Sequence, residues 1–206
     1  MRPDWIVTCL AFTLLAGPVL AADQQQKQES AENKAQVLEQ KAAQSNSPAP
    51  APKAEAITPS EVQAVDPVGA APLDDAITCL ARSIYWEAKG EDAADMEAVA
   101  NVVMNRLGHE GFPDTVCKVV KQGSETKSCQ FSWWCDGKSD SVQEEVPYAM
   151  AKEIARKALN KELPDRTQGA LYFHDRTVKP DWANEYIRTV DIGLFRFYKP
   201  HDGSAR

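Results

Sequence analysis

The stretch from residue 76 to residue 91, with the sequence AITCLARSIYWEAKGE, predicts the helix around which the other elements are arranged. Its apolar residues recur at spacings of three and four, which places one face of a helix in a core. These residues are Ile77, Leu80, Ala81, Ile84 and Ala88. Asp74 and Asp75 are candidate N-caps, and Gly90 is suited to ending the helix after about Lys89.

The segments that follow continue first as helices and then as strands. A second helix is expected from near Asp92, a short third one capped by Asp114, and a fourth opened by Pro147. The spacing of apolar residues then changes to that of strands. Candidate strands are residues 170–174, 186–191 and 194–198. The sequence therefore predicts an α+β fold with a helical core and a small antiparallel sheet.

The composition divides the 206 residues into unequal parts. The chain has a net charge of −7, of which −5 belongs to residues 1–75, and residues 23–75 contain no aromatic residue. Such a segment buries too little apolar surface to offset the entropy of ordering, so residues 23–75 are predicted to be a disordered spacer rich in Gln, Ala and Pro. Residues 76–206 are predicted to form one compact domain. No part of the chain has the excess of basic residues typical of a nucleic-acid binder.

The N-terminus has the pattern of a cleavable signal peptide. A basic start precedes an apolar run at residues 5–20, and small residues at 19–22 form a cleavage pattern. A membrane anchor is the alternative, but the run is shorter than the roughly 20 residues that a spanning helix needs. We therefore predict a signal peptide at residues 1–22, an exported protein, and no stable membrane span after cleavage.

Removal of the signal peptide with Cys9 leaves four cysteines, an even number that favours two disulfides in an exported domain. Three pairings are possible, and we favour a local Cys129–Cys135 bridge with a long-range Cys79–Cys117 bridge. Zinc binding is disfavoured because the spacings of 37, 11 and 5 residues lack a close cysteine pair. No metal site and no cofactor are expected. A thiol-redox protein is a further alternative, and it requires free reactive cysteines.

Glu87 is the sharpest candidate for chemistry. It follows Tyr85 and Trp86, and a carboxyl group near apolar rings is expected to have a raised pKa, as a general acid requires near neutral pH. Glu91 lies one helical turn further on, within reach on the same side. The alternative is a solvated pair of carboxylates with Lys89 nearby.

The loop between Cys129 and Cys135, called the aromatic loop below, could contact a carbohydrate, whose rings pack on indoles and whose hydroxyls need polar partners. A second candidate segment comprises the predicted strand at 170–174 and the turn after it, although a lone histidine on a strand is more often a structural residue than a catalyst. The candidate binding residues are Gln130, Phe131, Ser132, Trp133, Tyr172, His174 and Trp182. A core position for Trp133 or Trp134 is an equally good interpretation. Ser132 is a poor nucleophile candidate because no G-x-S-x-G motif surrounds it.

Residues from about 78 to 199 resemble the SleB/CwlJ-type cell wall hydrolases, a family of peptidoglycan-cleaving domains. The resemblance rests on several blocks in the same order, which together are far more specific than any one of them. The blocks are residues 80–91, 98–106, 111–113, 129–132, 172–174, 180–183, 192–193 and 197–198.

The resemblance implies a lysozyme-like fold and lytic transglycosylase cleavage between N-acetylmuramic acid and N-acetylglucosamine. The essential glutamate of the family maps to Glu87, with Glu91 as the alternative, and Tyr85 joins the expected substrate contacts. Hydrolysis would need a second carboxylate, for which Glu91 and Asp136 are the nearest candidates. The chain departs from the family at Phe173, where His or Tyr is common, and at Phe195, where His is frequent.

The sequence thus predicts an exported enzyme acting on peptidoglycan glycan strands, in the periplasm of a Gram-negative bacterium. The competing interpretation is a non-catalytic peptidoglycan-binding or scaffold module, in which the aromatic loop binds sugar and Glu87 is structural.

Overall fold

The computed structural model describes residues 17–44, 49–126 and 129–201, and this part of the chain folds as helices packed beside a three-stranded sheet. The helices are α1 (Gly17–Gln44), α2 (Pro59–Ala64), α3 (Ala76–Ala88), α4 (Ala93–Arg106), α5 (Val116–Lys121) and α6 (Glu145–Leu159). The strands are β1 (Tyr172–Asp175), β2 (Ile187–Ile192) and β3 (Phe195–Lys199). Within these residues, no helix is both long and apolar enough to cross a bilayer.

Helix α3 is the centre of the core and confirms the helix predicted to end near Lys89. The carboxylate of Asp75 caps it by accepting a hydrogen bond of 2.9 Å from the backbone N–H of Thr78. Gly90 follows with a φ of +90°, a left-handed conformation that favours glycine. Between these ends α3 packs against α4, α5 and α6.

The neighbouring helices begin close to the predicted positions. Asp92 caps α4 through the backbone N–H groups of its first turn, as its position before the apolar periodicity indicated. The N-cap residue of α5 is Thr115 and not Asp114. The Asp114 carboxylate instead pairs with Lys118 at 3.1 Å on the helix surface.

The sheet has the strand order β1-β3-β2, and both pairings are antiparallel. This confirms the predicted α+β class with a small antiparallel sheet. Gly193 makes the turn between β2 and β3, where a side chain would collide with the carboxylate of Asp95 on α4. The same carboxylate accepts a hydrogen bond of 3.2 Å from the backbone N–H of Leu194, so the turn is fixed against the helical layer.

Both favoured disulfides are present. Cys79–Cys117 joins α3 to α5, with 5.2 Å between the Cα atoms, and Cys129–Cys135 closes the aromatic loop. All four of these cysteines are therefore paired, which argues against the zinc and thiol-redox alternatives.

The prediction of a disordered spacer at residues 23–75 needs correction, because the described part of this segment is folded against the domain. Ala31, Ala35 and Leu38 recur along one face of α1 and are buried in the main core. Further along, the Glu61 carboxylate on α2 accepts a hydrogen bond of 2.8 Å from Lys34. This buried face of α1 consists largely of alanines, which allow close helix packing. Because alanines are small, the composition of the segment did not indicate a buried face. Residues 1–16 of the predicted signal peptide lie outside the described residues.

The end of α1 also contacts the turn that leaves α4. Gly108 in that turn has a φ of +70°, and a Cβ atom there would collide with the backbone of Ala43. A glycine is therefore required both by the conformation of the turn and by the approach of α1.

A buried ion pair fixes the segment before α3 to the core. Asp66 accepts hydrogen bonds from Arg82 Nη2 at 2.8 Å and from the Tyr148 hydroxyl at 2.6 Å. Its other carboxylate oxygen accepts the backbone N–H groups of Ala70 and Ala71, each at 2.8 Å. Asp66 and Arg82 are almost fully buried, so the folded unit begins well before residue 76.

Candidate active site

A groove of about 770 Å³ opens beside the end of α3 and runs between α4, the aromatic loop and the sheet. It brings together seven of the residues predicted for catalysis or substrate binding. These are Glu87, Glu91, Gln130, Ser132, Tyr172, His174 and Trp182. Residues far apart in the sequence thus line one surface.

Glu87 lies in the last turn of α3 and is partly buried in the groove wall. Removal of its carboxyl group from water raises the pKa to about 7, although the positive charge of Arg106 opposes this effect. Among the described residues, no group donates a hydrogen bond to this carboxyl. Near neutral pH, Glu87 can therefore carry a proton and release it within the groove.

Arg106, at the end of α4, is the site residue that the sequence reasoning missed. Its guanidinium group lies over the rings of Phe112, Phe131 and Tyr172, with 5.2–5.5 Å to the ring centroids. Its Nε donates a hydrogen bond of 2.7 Å to the carbonyl of Leu171, while Nη1 is buried without a partner among the described residues. The available signal was an arginine at the end of a helix whose other residues are mostly apolar.

One side of the groove is an aromatic wall made of Tyr172, His174, Trp182 and Tyr186, and the buried ring of Tyr198 packs against this wall. The ring centroids of Tyr172, Trp182 and Tyr186 lie 4.9–5.7 Å from one another. His174 stacks on Tyr198 at 5.2 Å. Such a wall offers both apolar ring faces and polar edges to a ligand.

His174 is held in one orientation by both ring nitrogens. Nδ1 lies 2.7 Å from the carbonyl oxygen of Asp175, an arrangement in which the histidine must donate. In the neutral ring Nε2 is then the acceptor, and the hydroxyl of Tyr198 is 3.1 Å away. His174 therefore acts here as an oriented part of the wall.

Three residues predicted to bind substrate lie in the core instead. Tyr85 and Phe131 are fully buried, and Trp133 is 6% exposed. The Tyr85 hydroxyl donates a hydrogen bond of 2.7 Å to Glu144, away from Glu87. For Trp133 the core interpretation is correct. Residues of the aromatic loop alternate between the core and the surface, so that Phe131 and Trp133 are buried whereas Gln130 and Ser132 line the groove.

The two candidates for a second carboxylate have different positions. Glu91 lines the groove, whereas Asp136 is exposed, pairs with Lys138 at 3.3 Å and is not part of the groove lining. Asp175 also lines the groove, but its carboxylate accepts hydrogen bonds from the backbone and hydroxyl of Thr177 at 2.7 and 2.6 Å.

The two departures from the family pattern occur at one place. Phe173 and Phe195 both line the groove and meet edge to face, with 5.4 Å between their centroids. These two positions thus form one apolar contact in the groove.

The raised pKa of Glu87 predicts a pH-dependent cost to stability. In the unfolded chain the Glu87 carboxyl has its ordinary pKa of 4.5, whereas in the folded protein its pKa is about 7. The contribution of the protonated carboxyl to stability is therefore fully present below pH 4.5 and is lost as the pH rises through about 7. We expect Glu87→Gln to be more stable than the wild type by about 1–3 kcal/mol at pH 8, with the difference shrinking towards pH 4. Urea unfolding at pH 4, 6 and 8 measures this, and a difference independent of pH would contradict it.

Comparison with known proteins places the chain among cell wall enzymes. The profile of the cell wall hydrolase family matches residues 90–198, beginning three residues after Glu87. Curated relatives include the spore cortex-lytic enzymes of Halalkalibacterium halodurans and Bacillus subtilis, each 29% identical, over 59% and 74% of this chain. The matched parts span 34% and 45% of those two proteins, so this chain corresponds to less than half of either.

Two solved structures show a similar match. The catalytic domain of the Bacillus cereus SleB protein is 27% identical with a TM-score of 0.49, covering 60% of this chain and 88% of that domain. The catalytic domain of the germination-specific lytic transglycosylase SleB from Bacillus anthracis is 27% identical with a TM-score of 0.48, covering 60% and 93%. The resemblance noted from the sequence blocks is confirmed by the family profile, which spans just over half of the chain. The chain belongs to the cell wall hydrolase family.

Proposed function

We propose that this protein is a lytic transglycosylase that cleaves peptidoglycan between N-acetylmuramic acid and N-acetylglucosamine, with Glu87 as the single general acid and base. The observation that carries the proposal is the Glu87 carboxyl, which faces the groove with a pKa of about 7. A group that titrates near the working pH can both give and take a proton.

The reaction needs one carboxyl group and no water. Protonated Glu87 donates its proton to the glycosidic oxygen, and the bond from that oxygen to C1 of the muramic acid breaks. The resulting Glu87 carboxylate accepts the proton of the muramic acid C6 hydroxyl, while the oxygen of that hydroxyl bonds to C1. A 1,6-anhydro ring forms, and Glu87 returns to its protonated state. Arg106 supports the intermediate stage, because its charge favours the carboxylate form of Glu87.

The aromatic wall is suited to hold the glycan. Sugar rings can pack their CH faces on Tyr172 and Trp182, while Gln130 and Ser132 on the aromatic loop offer polar groups to the hydroxyls. This combination matches a substrate with alternating apolar faces and hydroxyl edges. A lysozyme-like fold remains part of the proposal.

Hydrolysis is the second candidate because Glu91 lies in the same groove. A second carboxylate at a suitable distance would activate water or act as a nucleophile, and the product would have a reducing end. A non-catalytic module that binds peptidoglycan is the remaining alternative, in which Glu87 has no role in turnover.

We further propose that the protein is exported through a signal peptide at residues 1–22. The curated relatives are named as spore cortex-lytic enzymes, which supports a location outside the cytoplasm. They come from Gram-positive organisms and lend no support to a Gram-negative periplasm, which remains a prediction.

Mass spectrometry of digested sacculi tests the proposal. We expect wild-type protein to release anhydro-muropeptides, with a rate that falls above about pH 7 as Glu87 loses its proton. Reducing ends in place of anhydro ends would identify a hydrolase. Binding to sacculi without any released product would identify the non-catalytic module.

A further inference from the structure

An arginine cluster adjoins the aromatic wall on the sheet. We propose that this cluster, made of Arg176, Arg188 and Arg196 around Asp191, binds carboxylates of the peptide that branches from muramic acid. The preferred substrate is then a glycan strand that still carries its peptides. The inference rests on the proposed function, because it assumes that the glycan lies in the groove.

The strand register places the cluster on the same face as the wall. Arg196 on β3 pairs directly with His174 on β1 and with Asp191 on β2. Residues directly opposite in antiparallel strands project to the same face and lie about 5 Å apart at Cβ. Arg188 likewise pairs with Tyr198. The arginines therefore extend the wall across the sheet.

The cluster carries more positive than negative charge. Arg188 forms a two-pronged pair with Asp191 whose Nε contact is 2.6 Å, and Arg176 lies 3.8 Å from the same carboxylate. Arg196 makes no ion pair within 4 Å and donates no hydrogen bond among the described residues, and its Nε is buried. Arg176 and Arg188 thus share the Asp191 carboxylate, which leaves Arg196 available to a further anion.

Among the described residues, no carboxylate of the groove neutralises this excess of positive charge. Asp175 lines the groove, but its carboxylate accepts hydrogen bonds from the backbone and hydroxyl of Thr177 and forms no ion pair with an arginine among the described residues. Arg176 and Arg188 are each more than two-fifths exposed and accessible to a ligand. The local charge is positive although the whole chain is acidic.

The chemistry of the substrate suits this arrangement. Every muramic acid of peptidoglycan can carry a peptide with free carboxylates on its lactyl group, beside the bond that would be cleaved. A glycan stacked on the wall would direct that peptide along the sheet. The planar guanidinium group binds carboxylates through paired hydrogen bonds, and this geometry favours arginine over lysine.

The test compares Arg176→Gln/Arg196→Gln with wild type on two substrates, intact sacculi and glycan strands stripped of peptides by an amidase. Because hydrogen bonds to charged groups are lost, we expect kcat/KM on sacculi to fall by about 10–100-fold. The fall should come from a higher KM, and the difference from wild type should become smaller at high salt. The stripped strands should be cleaved at wild-type rates within about twofold, a margin set by the small effects of surface substitutions. Arg166→Gln is the matched control, because Arg166 pairs with Glu97 at 2.7 Å outside the sheet.

The outcomes separate this proposal from the proposed function. Equal losses on both substrates, or no loss on sacculi, would overturn the peptide-binding role. If the wild type cleaves neither substrate, the proposed function fails. Sedimentation of the protein with each substrate then tests the arginines directly, and a variant that binds sacculi as tightly as wild type would overturn their role.

Discussion

Replacing Glu87 with glutamine is expected to lower the rate of anhydro-muropeptide release by about 10²–10⁴-fold, the range that a positioned proton donor contributes. Glutamine keeps the size of the side chain but cannot deliver a proton to the glycosidic oxygen or accept one from the C6 hydroxyl. Both proton transfers are lost at once, so kcat should fall while binding to sacculi persists. Product analysis by mass spectrometry and a sedimentation assay measure the two effects.

Two further variants sharpen the result. Asp136→Asn is the matched control, since Asp136 is exposed outside the groove, and it should retain full activity. Glu91→Gln discriminates between mechanisms, because a transglycosylase with one acid should tolerate it far better than Glu87→Gln. Activity that persists in Glu87→Gln would overturn the assignment of Glu87, and equal losses in both variants would favour a two-carboxylate mechanism.

Replacing Asp66 with alanine is expected to lower the free energy of unfolding by about 3–5 kcal/mol, because removal of one partner leaves the other charge buried and unpaired. Arg82 is 2% exposed and has no route to water in the folded state. The Tyr148 hydroxyl and two backbone N–H groups would lose their acceptor as well. Urea unfolding at neutral pH measures the change.

Glu55→Gln provides the comparison for that experiment. Glu55 pairs with Lys41 at 2.5 Å, but both side chains are about half exposed, and surface pairs contribute about 0–1 kcal/mol. Both substitutions fall within residues 23–75. A cost below about 1 kcal/mol for Asp66→Ala would mean that the segment is not docked in solution and would restore the disordered spacer.

Local signals in the sequence were sufficient for helices α3 and α4 and for the position of Glu87. Asp75, Asp92 and Gly90 have the same roles in the structure as in the sequence analysis, because capping depends on a few neighbouring residues. The position of Glu87 beside the core face of α3 likewise followed from the helical period. The even count of cysteines allowed three disulfide pairings, and the pairing favoured from their spacing is the one present.

Other features depend on contacts between distant residues. Arg106 is stabilised by rings from three separate segments, which no local pattern reveals. Tyr85 is turned inward by its contacts with Tyr148 and Glu144, although its neighbour Trp86 lines the groove. The buried face of α1 consists mainly of alanines, and its significance became visible only from what it packs against.

The docking of the described parts of residues 23–75 on the core limits how far the domain can lie from a point of attachment. As a free chain, these 53 residues could extend to about 180 Å, at about 3.4 Å per residue. Because α1 and α2 pack on the core, this segment cannot extend away from the domain as a free chain would. Any attachment at the start of α1 would hold the groove at a short and nearly constant distance, so that cleavage would be confined to the glycan strands immediately alongside.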